Sequence, residues 1–64
     1  MFIDKEKYER QRKKKGLTAT HLINNCGVNR NEFYNYINGK KEAPNDFILR
    51  LANELVCPVI YLKK

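Results

Sequence analysis

Arg30, Asn31, Tyr34 and Asn35 stand within six consecutive residues, and two of their side-chain types are the ones that read base edges in duplex DNA. A guanidinium pairs with guanine and a carboxamide with adenine, each through two parallel hydrogen bonds in the major groove. Spacing matters as much as type. At about 100° per residue, Asn31, Tyr34, Asn35 and Asn38 share one side of a helix, with Arg30 at its leading end. Phe33, Tyr36 and Ile37 fall on the other side, as a core stripe. A solvated helix face has the same polar pattern, so this stretch alone leaves both readings open.

The helix that would carry these residues has its own start and stop signals. The Asn29 side chain can accept a free N–H of the first turn, and Glu32 three residues later completes an Asx-x-x-Glu capping box. Gly39 can close the helix in a left-handed turn. Before it, Thr18 is a good cap for another helix whose inner face is Leu22, Ile23 and Cys26, ended by Gly27. Two short helices joined by the tight turn from Cys26 to Asn29 make a helix-turn-helix at about residues 18–38. His21, near the start of the first of the pair, is expected to face solvent or a phosphate. No nucleophile or acid is paired with it by spacing.

The flanking segments supply the rest of the core. Seven basic and three acidic side chains precede Gly16, on a first helix anchored by Phe2, Ile3 and Tyr8. Glu6 with Arg10, and Glu9 with Lys13, are i,i+4 pairs of the favourable order. Lys13, Lys14 and Lys15 collect at the C-terminal end, where the helix dipole favours positive charge; part of this run is also placed to touch phosphate. Further on, either Pro44 occupies a first-turn position or Asn45 is a cap. Phe47, Ile48, Leu51, Ala52 and Leu55 then fall within one arc at helical spacing, which should be the centre of the core. Cys57-Pro58 breaks that helix, and Val59 to Leu62 form a short last helix or an extended tail.

Composition narrows the function classes. At 64 residues the chain is read as a single domain, residues 1–64, with no room for a separate catalytic domain. A net charge of +6 favours polyanionic partners. Cys26 and Cys57 make no C-x-x-C, and one His cannot complete a zinc set, so neither a metal nor another cofactor is expected. Each Cys lies in an apolar helical pattern, and two reduced, buried thiols fit a cytoplasmic protein. No apolar run approaches a membrane span, and charge from Asp4 onward does not fit a signal peptide. A Ser/His/Asp set and a phosphate-cradling Gly loop are both missing, so no catalytic residue is assigned and an enzyme is not expected.

The order of elements, together with Arg12, Gly16-Leu17-Thr18, Leu22, Gly27-Val28, Phe33, Gly39-Lys40-Lys41, Leu51-Ala52, Leu55 and Leu62, resembles the Cro/C1-type helix-turn-helix family of phage and bacterial repressors. The likeness covers about residues 8–62. Ala19 stands where the family often has Gln, Ile37 where it often has a Glu paired with the first-helix Arg, and Val56 where it often has Gly. The resemblance implies an all-α, compact five-helix, lambda-repressor-like domain with a short last helix. Carried over by position, Arg30, Asn31 and Asn35 would contact bases, with Tyr34 nearby. Phosphate contacts would come from Thr18, Ala19 and Thr20, from Asn38, and from Gly39, Lys40 and Lys41.

The function expected from these readings is a sequence-specific double-stranded DNA-binding transcriptional regulator. It would be a Cro-like phage or prophage repressor that occludes its operator, with no small-molecule ligand. One module of this size reads few base pairs, so a homodimer is expected at least on DNA, with Val59, Ile60 and Tyr61 as its interface. Val59 and Leu62 capping the core is the alternative for that segment. The alternative function is a small protein-interaction module, antitoxin- or antirepressor-like, on the same fold. RNA binding is disfavoured because Phe33, Tyr36 and Phe47 lie on core faces instead of an exposed stacking platform.

Overall fold

Phe47, Ile48, Leu51, Ala52 and Leu55 line one side of the fourth helix, and all five are buried. The remaining elements are arranged around this stripe. The computed structural model describes residues 1–64 as five helices: α1 (Lys5–Lys15), α2 (Ala19–Cys26), α3 (Arg30–Ile37), α4 (Asn45–Leu55) and α5 (Val59–Leu62). The all-α, five-helix expectation holds. Helix α4 packs against α1, α2 and α5, and α1 also meets α5. The buried apolar core numbers 14 residues, with Leu22, Ile23 and Cys26 from α2 and Phe33 and Ile37 from α3. No helix is long and apolar enough to cross a membrane.

Three helices start on side-chain caps. Asp4, Thr18 and Asn29 each accept a backbone N–H three residues ahead, from Lys7, His21 and Glu32 at 3.2, 3.2 and 2.7 Å. Only this half of the Asn29 capping box forms; Glu32 makes no return bond to the Asn29 N–H. Helix α4 follows neither expectation for its start, because Pro44 itself is the capping residue and makes no side-chain cap bond. Gly27 ends α2 with φ +71, and a Cβ there would lie 3.1 Å from Arg50 Nη1. That same Nη1 donates to the Cys26 carbonyl at 3.3 Å, so it seals the end of α2 against α4.

Two side chains on α1 do what its sparse apolar stripe cannot. Gln11 is buried, and its Nε2 donates to the Leu55 carbonyl at 2.8 Å, satisfying a last-turn acceptor of α4. Arg12 donates to Glu9 through Nε and Nη2, at 3.3 and 3.0 Å, and to the Leu17 carbonyl through Nη1 at 2.9 Å. The expected pairs Glu6–Arg10 and Glu9–Lys13 are not formed. Arg12 wins Glu9 because its planar fork binds both carboxylate oxygens at i,i+3.

The termini meet. Ile3 and Lys63 form an isolated antiparallel bridge, with Asp4 N–H donating to Leu62 O at 2.8 Å and Lys64 N–H to Phe2 O at 3.0 Å. The Ala43 N–H donates to Met1 O at 2.9 Å, and the Met1 ammonium sits 2.7 Å from Glu42. This pairing buries Ile3 but turns Phe2 out, 47% exposed, so Phe2 is not the anchor its apolar character implied. Both cysteines are free thiols; Cys26 is buried, whereas Cys57 is only half-buried.

Helix α4 ends on Val56 at φ +55, the one non-glycine residue with positive φ. A β-branched side chain in the left-handed region costs about 1–2 kcal/mol. Val56 is 68% exposed, so little packing offsets that cost. Val56→Gly should therefore stabilise the fold by about 0.5–1 kcal/mol after the added unfolded-state entropy is counted, read as a higher urea midpoint at unchanged slope. A lower midpoint would mean that the Val56 side chain holds packing beyond what its exposure indicates.

Candidate nucleic-acid interface

The apolar face of α3 decides what the opposite face presents. Phe33 is fully buried and Ile37 nearly so, while the Tyr36 ring lies 4.9 Å from that of Phe47. With these three turned inward, Arg30, Asn31, Tyr34 and Asn38 are exposed and Asn35 is half-buried. The four candidate base-reading residues therefore lie on the outer side of α3, Asn35 at its margin.

The candidate phosphate-contacting residues surround them. Arg30 Nη2 donates to Thr20 Oγ1 at 3.3 Å, tying the start of α3 to the first turn of α2. Thr18 caps only the His21 N–H, which leaves those of Ala19 and Thr20 without an intramolecular partner. Free N–H groups at a helix start bind anions whatever the side chain, so the start of α2 offers donors there. At the other end, the Asn35 carbonyl accepts from Lys40 N–H at 2.9 Å and Lys41 N–H at 3.2 Å. Gly39, at φ +77, makes the turn that brings those residues back. Both lysines are exposed beside the outer face.

The candidate dimer residues lie on α5, outside this constellation. Ile60 is 72% exposed, whereas Val59 and Tyr61 are half-buried against the core. The Tyr61 ring also carries the Lys7 ammonium 5.7 Å from its centroid.

Three features go beyond what the sequence reading assigned. First, a groove of about 470 Å³ runs beside the outer face, between Ala19, Tyr34 and Asn38 on one side and residues of α1 on the other. Second, His21, Asn25 and Glu54 converge: Asn25 Nδ2 donates to Glu54 Oε1 at 2.7 Å and lies 3.0 Å from His21 Nε2. His21 thus faces solvent as expected while helping tie α2 to α4. Third, Gln11 joins Tyr8 on the inner face of α1, one turn on; an amide at a stripe position was the only hint of it.

Electrostatics around the groove follow from contacts. Burial pushes the Tyr8 phenol up to about 12, so it stays protonated and able to donate. The hydrogen bonds from Arg12 hold the Glu9 carboxyl below its ordinary value, and Glu9 in turn raises the guanidinium. Burial raises both thiols, Cys26 to about 11. No group of three or more His, Cys, Asp or Glu side chains is placed to hold a metal ion.

What fold and site define together is a five-helix domain that presents one polar helix face, framed by free N–H donors and lysines. No family model matches the chain, and neither a curated protein nor a solved structure does so.

The Glu9–Arg12 pair yields a pH prediction. Because the folded-state pKa of Glu9 is depressed, its contribution is present above the unfolded value and is lost as pH falls through the folded one. Glu9 is about a third exposed, so solvent screening keeps that contribution small, on the order of 0.5 kcal/mol. Glu9→Gln should be less stable than the parent at pH 7 and equal to it near pH 2, measured by denaturant unfolding at both. An equal deficit at both pH values would show that packing, not charge, is what Glu9 supplies.

Proposed function

We propose that this chain is a sequence-specific, double-stranded DNA-binding transcriptional regulator, working in the cytoplasm as a Cro-like repressor that occludes its operator. One observation carries the reading. Arg30, Asn31, Tyr34 and Asn35 share the outer side of a capped helix, between the free N–H groups of Ala19 and Thr20 and the Lys40-Lys41 loop. Base-reading groups flanked by phosphate-binding groups match the division of labour in major-groove recognition, where backbone contacts position the protein and side chains specify the sequence. The net charge of +6 adds long-range attraction to the duplex. The resemblance to the Cro/C1-type helix-turn-helix family points the same way.

In this reading α3 enters the major groove. Arg30 and Asn31 make the principal base contacts, Tyr34 and Asn35 complete the reading surface, and Asn38 and Gly39 approach the backbone with the lysines. A homodimer on a two-fold operator places half-sites about one helical turn apart. The exposure of Ile60 beside Val59 and Tyr61 supports α5 as the contact between copies.

A second reading, a small protein-interaction module, is favoured by the apolar side chains of Leu49, Val56 and Ile60, all more than half exposed. Salt-dependent binding to a defined duplex separates the two.

Fluorescence anisotropy with a preferred duplex and a random one tests the assignment. Arg30→Ala should cost about 1–3 kcal/mol on the preferred duplex and far less on random DNA. Lys40→Ala should weaken both alike and lower the slope of log affinity against log salt by about 1. Equal loss on both duplexes for Arg30→Ala would remove its base-reading role.

A further inference from the structure

Tyr8 is 2% exposed, yet its hydroxyl has no hydrogen-bond partner in the protein. No side-chain polar atom that is fully buried lacks a partner. The little surface Tyr8 retains therefore includes its oxygen, and Tyr8 lines the groove of about 470 Å³ between α1 and the outer face of α3. A buried ring thus presents to an open groove a phenol that no group of the protein engages.

The groove holds further donors. Arg12 lines it and spends three N–H groups on Glu9 and the Leu17 carbonyl, which leaves two of the five in a guanidinium free. Lys5 lies on its wall with the Asn38 amide. Glu9 is there too, but its carboxylate is engaged by Arg12, so Lys5 leaves the groove net positive. Ala19 and Ile37 add short or apolar walls that bring no acceptor side chain. The chemistry that fits is an anion accepting hydrogen bonds from a phenol and a guanidinium at once.

We infer that this groove seats one phosphodiester of the bound DNA backbone, with the Tyr8 hydroxyl and the free Arg12 N–H groups as its donors and Lys5 as its counter-charge. The inference rests on the proposed DNA-binding function. Tyr34 and Asn38 line both the groove and the candidate reading face, so a backbone strand beside the major groove that α3 occupies passes the groove's mouth. Helix α1 thereby becomes part of the docking surface and holds α3 in register on the duplex.

The test is Tyr8→Phe, which removes one oxygen and keeps the ring. The hydroxyl has no intramolecular partner, so the variant should unfold at the parent's temperature or slightly above it. Its affinity for a preferred duplex and for random DNA should fall together, by about threefold to tenfold, as for one hydrogen bond to a charged acceptor. The salt slope should stay unchanged, because no charge is lost. Lys5→Gln should lower that slope by about 1. In a duplex series carrying one neutral methylphosphonate at a time, one position per half-site should weaken the parent more than it weakens Tyr8→Phe, whereas the positions met by α2 and the Lys40-Lys41 loop should weaken both alike. If the parent binds duplex DNA and Tyr8→Phe binds it equally well, the groove holds no phosphate and the DNA-binding function stands. If the parent binds no duplex, that function fails and the groove assignment fails with it.

Discussion

The buried ring of Phe33 is the contact on which the arrangement depends. It is fully inaccessible and meets Tyr8, Phe47 and Tyr34 edge-on, with centroids 6.1, 5.8 and 5.5 Å away. Through it α3 is locked against α1 and α4 at a fixed rotation. Edge-to-face aromatic pairs are directional, so the ring sets an angle as well as a depth. A slip of one residue would turn the helix by about 100° and bring amides into the core, where each would lack a partner. The outer face of α3 is thus fixed from inside, by what cannot be allowed to turn inward.

That constraint has a functional consequence. A helix that reads bases cannot hold its orientation through its own reading face, which must stay free for the ligand. Here orientation comes from Phe33 and Ile37, and position along the duplex would come from groups on other elements. The link from Arg30 to Thr20 and the bonds from the Asn35 carbonyl to the Lys40 and Lys41 amides bind these elements to α3. Rigid placement lowers the ordering cost on binding, which matters for a domain whose core is only 14 residues.

Much of this was legible in the chain. Helix starts at Thr18 and Asn29, the buried stripe of α4 and the two-sided character of α3 follow from local rules, because caps and 3.6-residue periodicity involve residues a few positions apart. What was not legible depends on distant partners or on competition. Gln11 reads as polar until the Leu55 carbonyl is found opposite it. Glu9 has Arg12 and Lys13 both within reach, and only geometry decides between them. Val56 reads as an ordinary apolar residue, and its positive φ comes from the chain having to turn between α4 and α5. Phe2 looked like an anchor, but pairing between the chain ends alternates side chains and buries Ile3 instead. The groove beside α3 needs three helices to form its walls, so no local pattern announces it. Arg30, Asn31, Tyr34 and Asn35 were legible as one helix face, whereas the tethers from Arg30 to Thr20 and from the Asn35 carbonyl to the lysine loop were not.

Selection of a random duplex library on the purified protein at near-physiological salt asks whether the outer face of α3 reads sequence. An enriched two-fold motif with half-sites about one helical turn apart is the expected result. Salt-sensitive bulk binding with no enriched sequence would contradict it, because the outer face of α3 would then be a solvated surface and the positive charge alone would account for the attraction to DNA.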